Sequence, residues 1–224
     1  RSGFPAGICE ESVQDGPGIY AITDPVFARD WRDLRVASRY VGGEHDGTVA
    51  PRPGGLPADA TVVGLEAGGE ARAYPISVLW THEAVNDTVG DVPLLVTYCS
   101  LCRSGMVAER RVAGTVTTLR VSGLLWQAPQ IQAAAAEQEG RVFGAVQRGG
   151  EAVEIRHSGN VVLVDDATGS YWSQILARAI CGPQEGTVLD QVPASLATWE
   201  EWQGSHPGTE VLLPPPHSGT TLRT

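Results

Sequence analysis

Residues 92–112, VPLLVTYCSLCRSGMVAERRV, decide the fold and carry the functional question with it. The opening eight, VPLLVTYC, are a nearly continuous apolar run of strand length. Such a run predicts a strand buried on both faces that carries Cys99 out of the core at its end. Gly105 and the β-rich MVAERRV that follow predict another strand, not a long helix. A turn at Ala113 and Gly114 then leads into TVTTLRVSG, which reads as a further hairpin.

Working outward, TVVGLEAGGEARAYPI (residues 61–76) holds two short β-rich runs around Gly68 and Gly69, the form of a hairpin. ISVLWTHEAVND (76–87) changes period. Val78, His82 and Asn86 fall at i, i+4 and i+8 on one face of a short helix, with Leu79 and Glu83 one step round. Downstream, WQAPQIQAAAAEQEG (126–140) reads as a short helix or a loop. Residues 141–169 read as three strands with turns at Gly149–Gly150 and Ser158–Asn160. SYWSQILARAI (170–180) predicts a helix from the stripe of Trp172, Ile175, Leu176 and Ala179, stopped by Gly182 and Pro183. GTVLDQVP is strand-like, SLATWEEWQGSHPG is a helix with Ser195 or Thr198 as N-cap, and TEVLL is a short strand.

The sum is a strand-rich α+β fold, a mostly antiparallel sheet or partly closed barrel with short helices against it. A single domain is expected over residues 1–213. Residues 1–55 would form a wrapping arm with a surface excursion at GGEHDGTVAPRPGG, residues 56–213 the core, and residues 214–224 an extended or disordered tail.

Composition narrows the function. A formal net charge of −10 with scattered basic residues argues against nucleic acid as a partner. All 16 basic residues are Arg, so Schiff-base lysine chemistry and a phosphate-loop lysine are excluded. No apolar stretch approaches the roughly 18–20 residues of a membrane span, and RSGFPAGICEES lacks a signal-peptide pattern. A soluble chain acting on a small molecule is expected. Because residue 1 is Arg and Met106 is the sole Met, an N-terminal piece is expected to have been removed or left out.

The four cysteines are Cys9, Cys99, Cys102 and Cys181. C-x-x-C spacing lets two thiolates share one soft ion or close a reducible disulfide. A structural zinc site usually supplies a second ligand pair, which is missing here, and a thioredoxin-like site would have a helix after the pair. An open metal site, a thiol nucleophile and two buried small residues all remain. His82 is the candidate third ligand or base, its alternative being a hydrogen-bonded core histidine. His45, His157, His206 and His217 lie in loop-like segments. Asp165, Asp166, Ser173 and Gln174 surround a joint that could bind an anion or simply cap a turn.

The ordered motifs ARAYP, HEAVNDT, TYCSLC, SGLL and TGSYWSQ resemble those of a large uncharacterised bacterial and archaeal family. Its members read A-R-A-Y-P, H-E-I-V-N-D-T, T-Y-C-P-L-C-G-T-A, S-G-L-L and T-G-S-x-W-S-Q. ITDPVF and the closing TWEEWQGSHPGTEVL extend the similarity from Ile22 to Leu213. The resemblance implies no settled activity. It singles out Cys99, Cys102 and His82, and adds Asp24, Tyr98, Trp172, Ser173 and Gln174 as candidates for the same pocket. It also leans towards an extracytoplasmic location. This chain departs from the pattern at Ser100 in place of Pro, at Arg103, Ser104 and Gly105 in place of Gly-Thr-Ala, and at Cys181 in place of Ala. Arg103 puts a positive charge beside the thiols, which favours the thiolate.

The leading expectation is a metal-dependent, thiolate-centred oxidoreductase. Cys99, Cys102 and His82 would hold a transition metal, copper ahead of zinc or iron, with Tyr98 and Arg103 beside them. Asp24, Trp126, Trp172, Ser173, Gln174 and Cys181 would meet the substrate. A second expectation is a metal-free lyase or transferase with Cys99 as nucleophile and Cys102 as resolving partner, loosely similar to alkylmercury lyases. A third is a non-enzymatic metal-trafficking or sensing module. A pair at the bottom of a pocket lined by Trp126, Trp172 and His82 would favour an enzyme, and an exposed pair a trafficking module. A structural disulfide between Cys9 and Cys181 is a further expectation.

Overall fold

The computed structural model describes residues 19–41, 48–126, 147–148, 151–152 and 159–220. Three larger sheets organise them, and none of the three closes into a barrel. The central sheet runs in the order β14 (Gly219–Thr220), β1 (Ile22–Asp24), β5 (Ala84–Val89), β6 (Val92–Cys99) and β7 (Ser104–Glu109). A second runs β12 (Ser195–Thr198), β3 (Thr61–Ala67), β4 (Glu70–Pro75), β13 (Glu210–Leu212) and β2 (Phe27–Ala28). The third runs β8 (Leu119–Trp126), β9 (Asn160–Asp165), β10 (Tyr171–Ser173) and β11 (Arg178–Cys181). Pairing is antiparallel except for β1 with β5 and β4 with β13. Two short helices, α1 (Ile76–His82) and α2 (Trp199–Ser205), complete this α+β architecture.

Strand β6 is the hinge of the design. Its alternate residues Leu94, Val96 and Tyr98 join one core cluster, with Val62, Leu65 and Leu79. Leu95 and Cys99 point the other way into a second cluster, with Leu119, Leu163 and Trp172. The period of two therefore distributes one strand between two cores, and the central sheet is covered on both faces. Leu94 and Leu95 are both fully buried, and burying each side chain contributes about 2 kcal/mol.

Both predicted hairpins form. Gly68 and Gly69 supply positive φ angles at the β3–β4 turn. Gly68 also packs backbone to backbone on Gly90 at the β5–β6 turn; a Cβ on Gly68 would lie 2.9 Å from the Gly90 Cα. Ala113 and Gly114, both at positive φ, turn the small Arg111–Val112/Thr115–Val116 hairpin. Thr198 caps α2 through a reciprocal pair with Glu201, Glu201 N donating to Thr198 Oγ1 and Thr198 N to Glu201 Oε2. Ser195, the other candidate cap, lies in β12.

Four expectations need correction. Helix α1 does not continue to Asn86: Glu83 takes a left-handed conformation (φ 57°), its N–H reaches Leu79 O, and Asn86 belongs to β5. There Asn86 clamps the start of β8, accepting from Leu119 N at 2.8 Å and donating to Leu119 O at 2.9 Å. SYWSQILARAI is not a helix but the β10–β11 hairpin, its turn closed by Ala177 at φ 48°. Ile175 and Leu176, the middle of the supposed buried stripe, are 51% and 44% exposed. GTVLDQVP contributes isolated bridges at Val188 and Gln191 in place of a strand. Gly219–Thr220, in the stretch expected as an extended tail, pairs with β1 at the edge of the central sheet. Most of WQAPQIQAAAAEQEG, with His45, His157 and Cys9, lies outside the described residues.

Candidate functional site

The C-x-x-C pair occupies the turn of a β-hairpin. β6 and β7 pair down to Cys99↔Ser104, leaving Ser100, Leu101, Cys102 and Arg103 as a four-residue loop. The tight turn brings the Cys99 and Cys102 Cα atoms to 5.4 Å, and the two are disulfide-bonded, inside the range of about 4.4–6.8 Å that a disulfide needs. The environments of the two sulfurs differ sharply. Cys99 is fully buried in the core between the central and third sheets, whereas Cys102 is exposed between Leu101 and Arg103.

One N–H group faces each sulfur. Cys102 N donates to Cys99 Sγ at 3.3 Å, and Asn160 Nδ2 lies 3.5 Å from Cys102 Sγ. Behind Asn160 stands Gln174, with no exposed surface. Its Oε1 accepts from Asn160 Nδ2 (2.7 Å) and Ser104 Oγ (3.2 Å). Its Nε2 donates to Thr97 Oγ1 and Ser104 O, both at 3.1 Å. Asn160 Oδ1 in turn accepts from Ile175 N at 2.8 Å and from Ser173 Oγ at 3.5 Å. Ser173 and Gln174 thus reach the loop through Asn160, a residue the sequence reading did not single out. Its partners lie 58 and 14 positions away, so no local pattern reveals it.

Arg103 adopts φ 50°, a left-handed conformation in this hairpin loop, which costs an L-residue with a Cβ roughly 1–2 kcal/mol. Arg103→Gly is therefore expected to raise stability by about 1 kcal/mol. A urea titration of the variant checks it, and an unchanged or lowered midpoint would contradict the assignment of strain.

The remaining candidates are dispersed. Tyr98 points into the opposite core, its ring 6.4 Å from that of Trp80. Trp172 is buried beside Cys99 in the same cluster, but its indole N–H is held by Asp165 Oδ2 at 2.9 Å. Trp126 packs in a separate cluster with Val162 and Ile180. Asp24 is exposed in β1. Asp165 organises its own turn by accepting from Thr168 N and Ser170 N, and Asp166 pairs with Arg120 at 2.7 Å. Cys181 ends β11 and is disulfide-bonded; the expected Cys9 partner lies outside the described residues. Trp126, Trp172 and His82 thus sit in three different surroundings: Trp126 with Val162 and Ile180, Trp172 in the cluster of Cys99, and His82 between Tyr20 and Tyr40.

His82 ends α1, close in sequence to the ladder neighbours of Cys99, since Ala84 pairs with Thr97 and Tyr98 N donates to Glu83 O. Its ring, however, is committed to oxygen. Nδ1 lies 2.9 Å from the Tyr20 carbonyl, which can only accept, so Nδ1 carries the proton. Nε2 then accepts from Tyr40 Oη at 2.8 Å. Burial lowers the His82 pKa, so the ring stays neutral. Among the described residues no group of three His, Cys, Asp or Glu side chains is arranged to hold a metal ion.

Glu83 is the residue whose importance the sequence concealed. It is only 6% exposed. Burial pushes its carboxyl up to about 7, while the Ser100 side chain hydrogen-bonds it and pulls the other way. A carboxyl raised in the folded state binds its proton more tightly there than in the unfolded chain. Stability contributed by the protonated form is complete below the ordinary pKa of 4.5 and is lost as pH rises to about 7. Glu83→Gln removes that loss and is expected to exceed the parent in stability at pH 8 by on the order of 3 kcal/mol. The two should converge at pH 4. Parallel denaturation curves at both pH values test this, and an equal difference at both would refute it.

Residues 18–135 and 151–221 match the family described as "Protein of unknown function (DUF3179)". The chain belongs to this family. The match covers the C-x-x-C hairpin of the DUF3179 chain together with Glu83, Asn160 and Gln174. No curated protein and no solved structure matches it. Among the described residues no helix is long and apolar enough to cross a membrane.

Proposed function

We propose that Cys99 and Cys102 are a redox-active dithiol/disulfide pair and that the protein is a thiol–disulfide oxidoreductase. The observation that carries this reading is the asymmetry of the pair: one disulfide across one hairpin turn, with Cys102 open to solvent and Cys99 fully buried. In the reducing direction, the Cys102 thiolate attacks a substrate disulfide and one substrate sulfur departs as thiolate. Cys99 then attacks the Cys102 sulfur of the mixed disulfide and releases the second. The substrate gains two electrons, which the dithiol loses on becoming a disulfide. The Asn160 N–H and the Arg103 charge favour the Cys102 thiolate. Burial supports Cys102 as the attacking sulfur and Cys99 as the resolving one, the reverse of the order expected from sequence.

The expected copper centre asks more of the site. A reduced pair offers two thiolates to a soft ion, but His82 would have to release Tyr20 O or Tyr40 Oη before it could ligate. The test is a redox titration of the native protein against dithiothreitol, with trapped thiols counted by mass. Both cysteines should convert together in one two-electron transition, and the reduced protein should reduce a small aromatic disulfide catalytically. A pair that resists reduction in the folded protein would overturn the proposal. So would a reduced protein that binds Cu(I) stoichiometrically and exchanges with no disulfide.

A further inference from the structure

Strand β7 is an edge strand of the central sheet, and only half of its free side is used. Val192 N donates to Val107 O and Glu109 N to Asp190 O, so residues 190–192 cover the far half of the strand in antiparallel register. Main-chain groups alternate sides along a strand, so those of Gly105 face the same way as those of Val107 and Glu109. The neighbouring strand agrees: Tyr98, opposite Gly105, turns its N–H to Glu83 O, away from β7. Gly105 is exposed, and among the described residues no hydrogen bond to its N–H or carbonyl extends the pairing that ends at Val192. An open stretch of edge is a template for another strand, which a fold otherwise blunts or covers.

The open stretch borders a cavity of about 340 Å³ between two sheet edges. Gly105 and Met106 of β7 wall one side, and Val63 and Leu196, paired across β3 and β12, the other. Ile175 also lines it and ties it to the redox pair: Ile175 N donates to Asn160 Oδ1 at 2.8 Å, and Asn160 Nδ2 lies 3.5 Å from Cys102 Sγ. Leu196 is 61% exposed, and Leu101, beside Cys102, is 60% exposed. Among the described residues no charged side chain lines the cavity, in a chain whose net charge is −10. Its volume is at the low end of the roughly 300–1,000 Å³ of ligand pockets, which suits the apolar side chains of an extended chain better than a large compact ligand. What the edge already holds defines the occupant. Residues 190–192 are an extended segment bound by main-chain hydrogen bonds, and the open stretch at Gly105 continues the same line towards Cys102.

We propose that the open edge of β7 at Gly105 takes an extended polypeptide segment as an added strand, so that the substrate of the Cys99/Cys102 pair is a disulfide carried by a polypeptide chain. This inference rests on the redox reading of the pair and names its substrate class. The Gly105 N–H donates to the main chain of the segment and the Gly105 carbonyl accepts from it, which gives affinity without regard to sequence. Apolar side chains against Leu196 and Ile175 add a preference for uncharged stretches. A segment held there brings its own sulfur to the exposed Cys102, and a small disulfide makes none of these contacts.

The experiment offers the reduced full chain two mixed disulfides of thionitrobenzoate in a stopped-flow instrument. One carries a blocked cysteine, the other the cysteine of a short, blocked valine- and threonine-rich peptide, and both release the same coloured thiolate. Each rate is divided by the rate of that disulfide with dithiothreitol, which removes differences in intrinsic reactivity. The peptide should react about 10- to 10²-fold faster than the blocked cysteine, the scale of two main-chain hydrogen bonds and an apolar contact. N-methylation of alternate peptide residues should abolish the gain in one of the two alternating patterns and spare it in the other, because the N–H groups of a strand point to opposite sides in turn. Leu196→Glu, at an exposed position, should cut the gain by about 10-fold. A peptide no faster than the blocked cysteine would overturn the added strand alone, as would a gain that survives both methylation patterns or is unaltered in Leu196→Glu. A reduced chain that reacts with neither disulfide would overturn the redox reading beneath it as well.

Discussion

Cys99→Ser should trap substrate, and Cys102→Ser should not react with it. With Cys99 replaced, the exposed Cys102 still attacks a disulfide, but no second sulfur stands behind it to expel the product. A mixed disulfide therefore accumulates and is seen as a mass increase removed by dithiothreitol. With Cys102 replaced, Cys99 lies in the core beside Leu95, Met106 and Trp172 with no exposed surface, and reaction with the same probe should fall by roughly 10³-fold or more. Turnover should be lost in both variants. The opposite pattern, with trapping by Cys102→Ser, would assign the attack to Cys99 and invalidate the order of events proposed here.

Gln174→Ala should produce the largest loss of stability among the polar positions. Gln174 is wholly buried and joins strand β6 at Thr97, strand β7 at Ser104 and strand β9 at Asn160. Truncation leaves the Thr97 and Asn160 side chains and the Ser104 carbonyl short of partners around a cavity. Stranded buried groups cost about 1–3 kcal/mol each and partial relaxation recovers some of it, so a net loss of about 3–5 kcal/mol is expected. For a chain of this size that corresponds to a fall in Tm of roughly 10 °C. Calorimetry of the variant decides the matter; a loss below about 1 kcal/mol would show that water replaces the amide without difficulty. Because the Asn160 amide N–H would also lose its Gln174 acceptor, reactivity of Cys102 with a small disulfide should change in the same variant.

The parts of the fold that were legible are those in which neighbouring residues agree. VPLLVTYC reads as a doubly buried strand because every position from Pro93 to Cys99 is apolar or small enough to face one of two cores, and all seven are buried. The Gly68–Gly69 turn is equally legible because positive φ at two consecutive positions leaves few alternatives. SYWSQILARAI misled for a physical reason. Trp172, Ile175, Leu176 and Ala179 do recur at helical spacing, but Trp172 and Ala179 face each other across a hairpin while Ile175 and Leu176 sit in its exposed turn. Pairing with β9, whose partner residues lie 7 to 11 positions upstream (Val164↔Tyr171 to Val162↔Ser173), outweighs local preference.

The site divides in the same way. The cysteines, Ser173 and Gln174 stand in recognisable motifs. The fate of the His82 ring depends on Tyr40 and Tyr20, 42 and 62 positions away, and could not be read locally. Glu83 was visible only as the neighbour of His82. Its burial follows from the left-handed turn that ends α1, where a short apolar-to-β junction gave no glycine to announce it.

The placement of the disulfide on a closed hairpin separates oxidation from folding. Cys99 and Ser104 are already neighbours in the β6–β7 ladder, so the sulfur bond spans residues that main-chain pairing holds together. A cross-link over so few residues removes little freedom from the unfolded chain beyond what the turn itself restricts. Opening it should therefore leave the three sheets intact. On the redox reading proposed above, the molecule would carry its electron pair in a part of the structure whose pairing the main chain already holds.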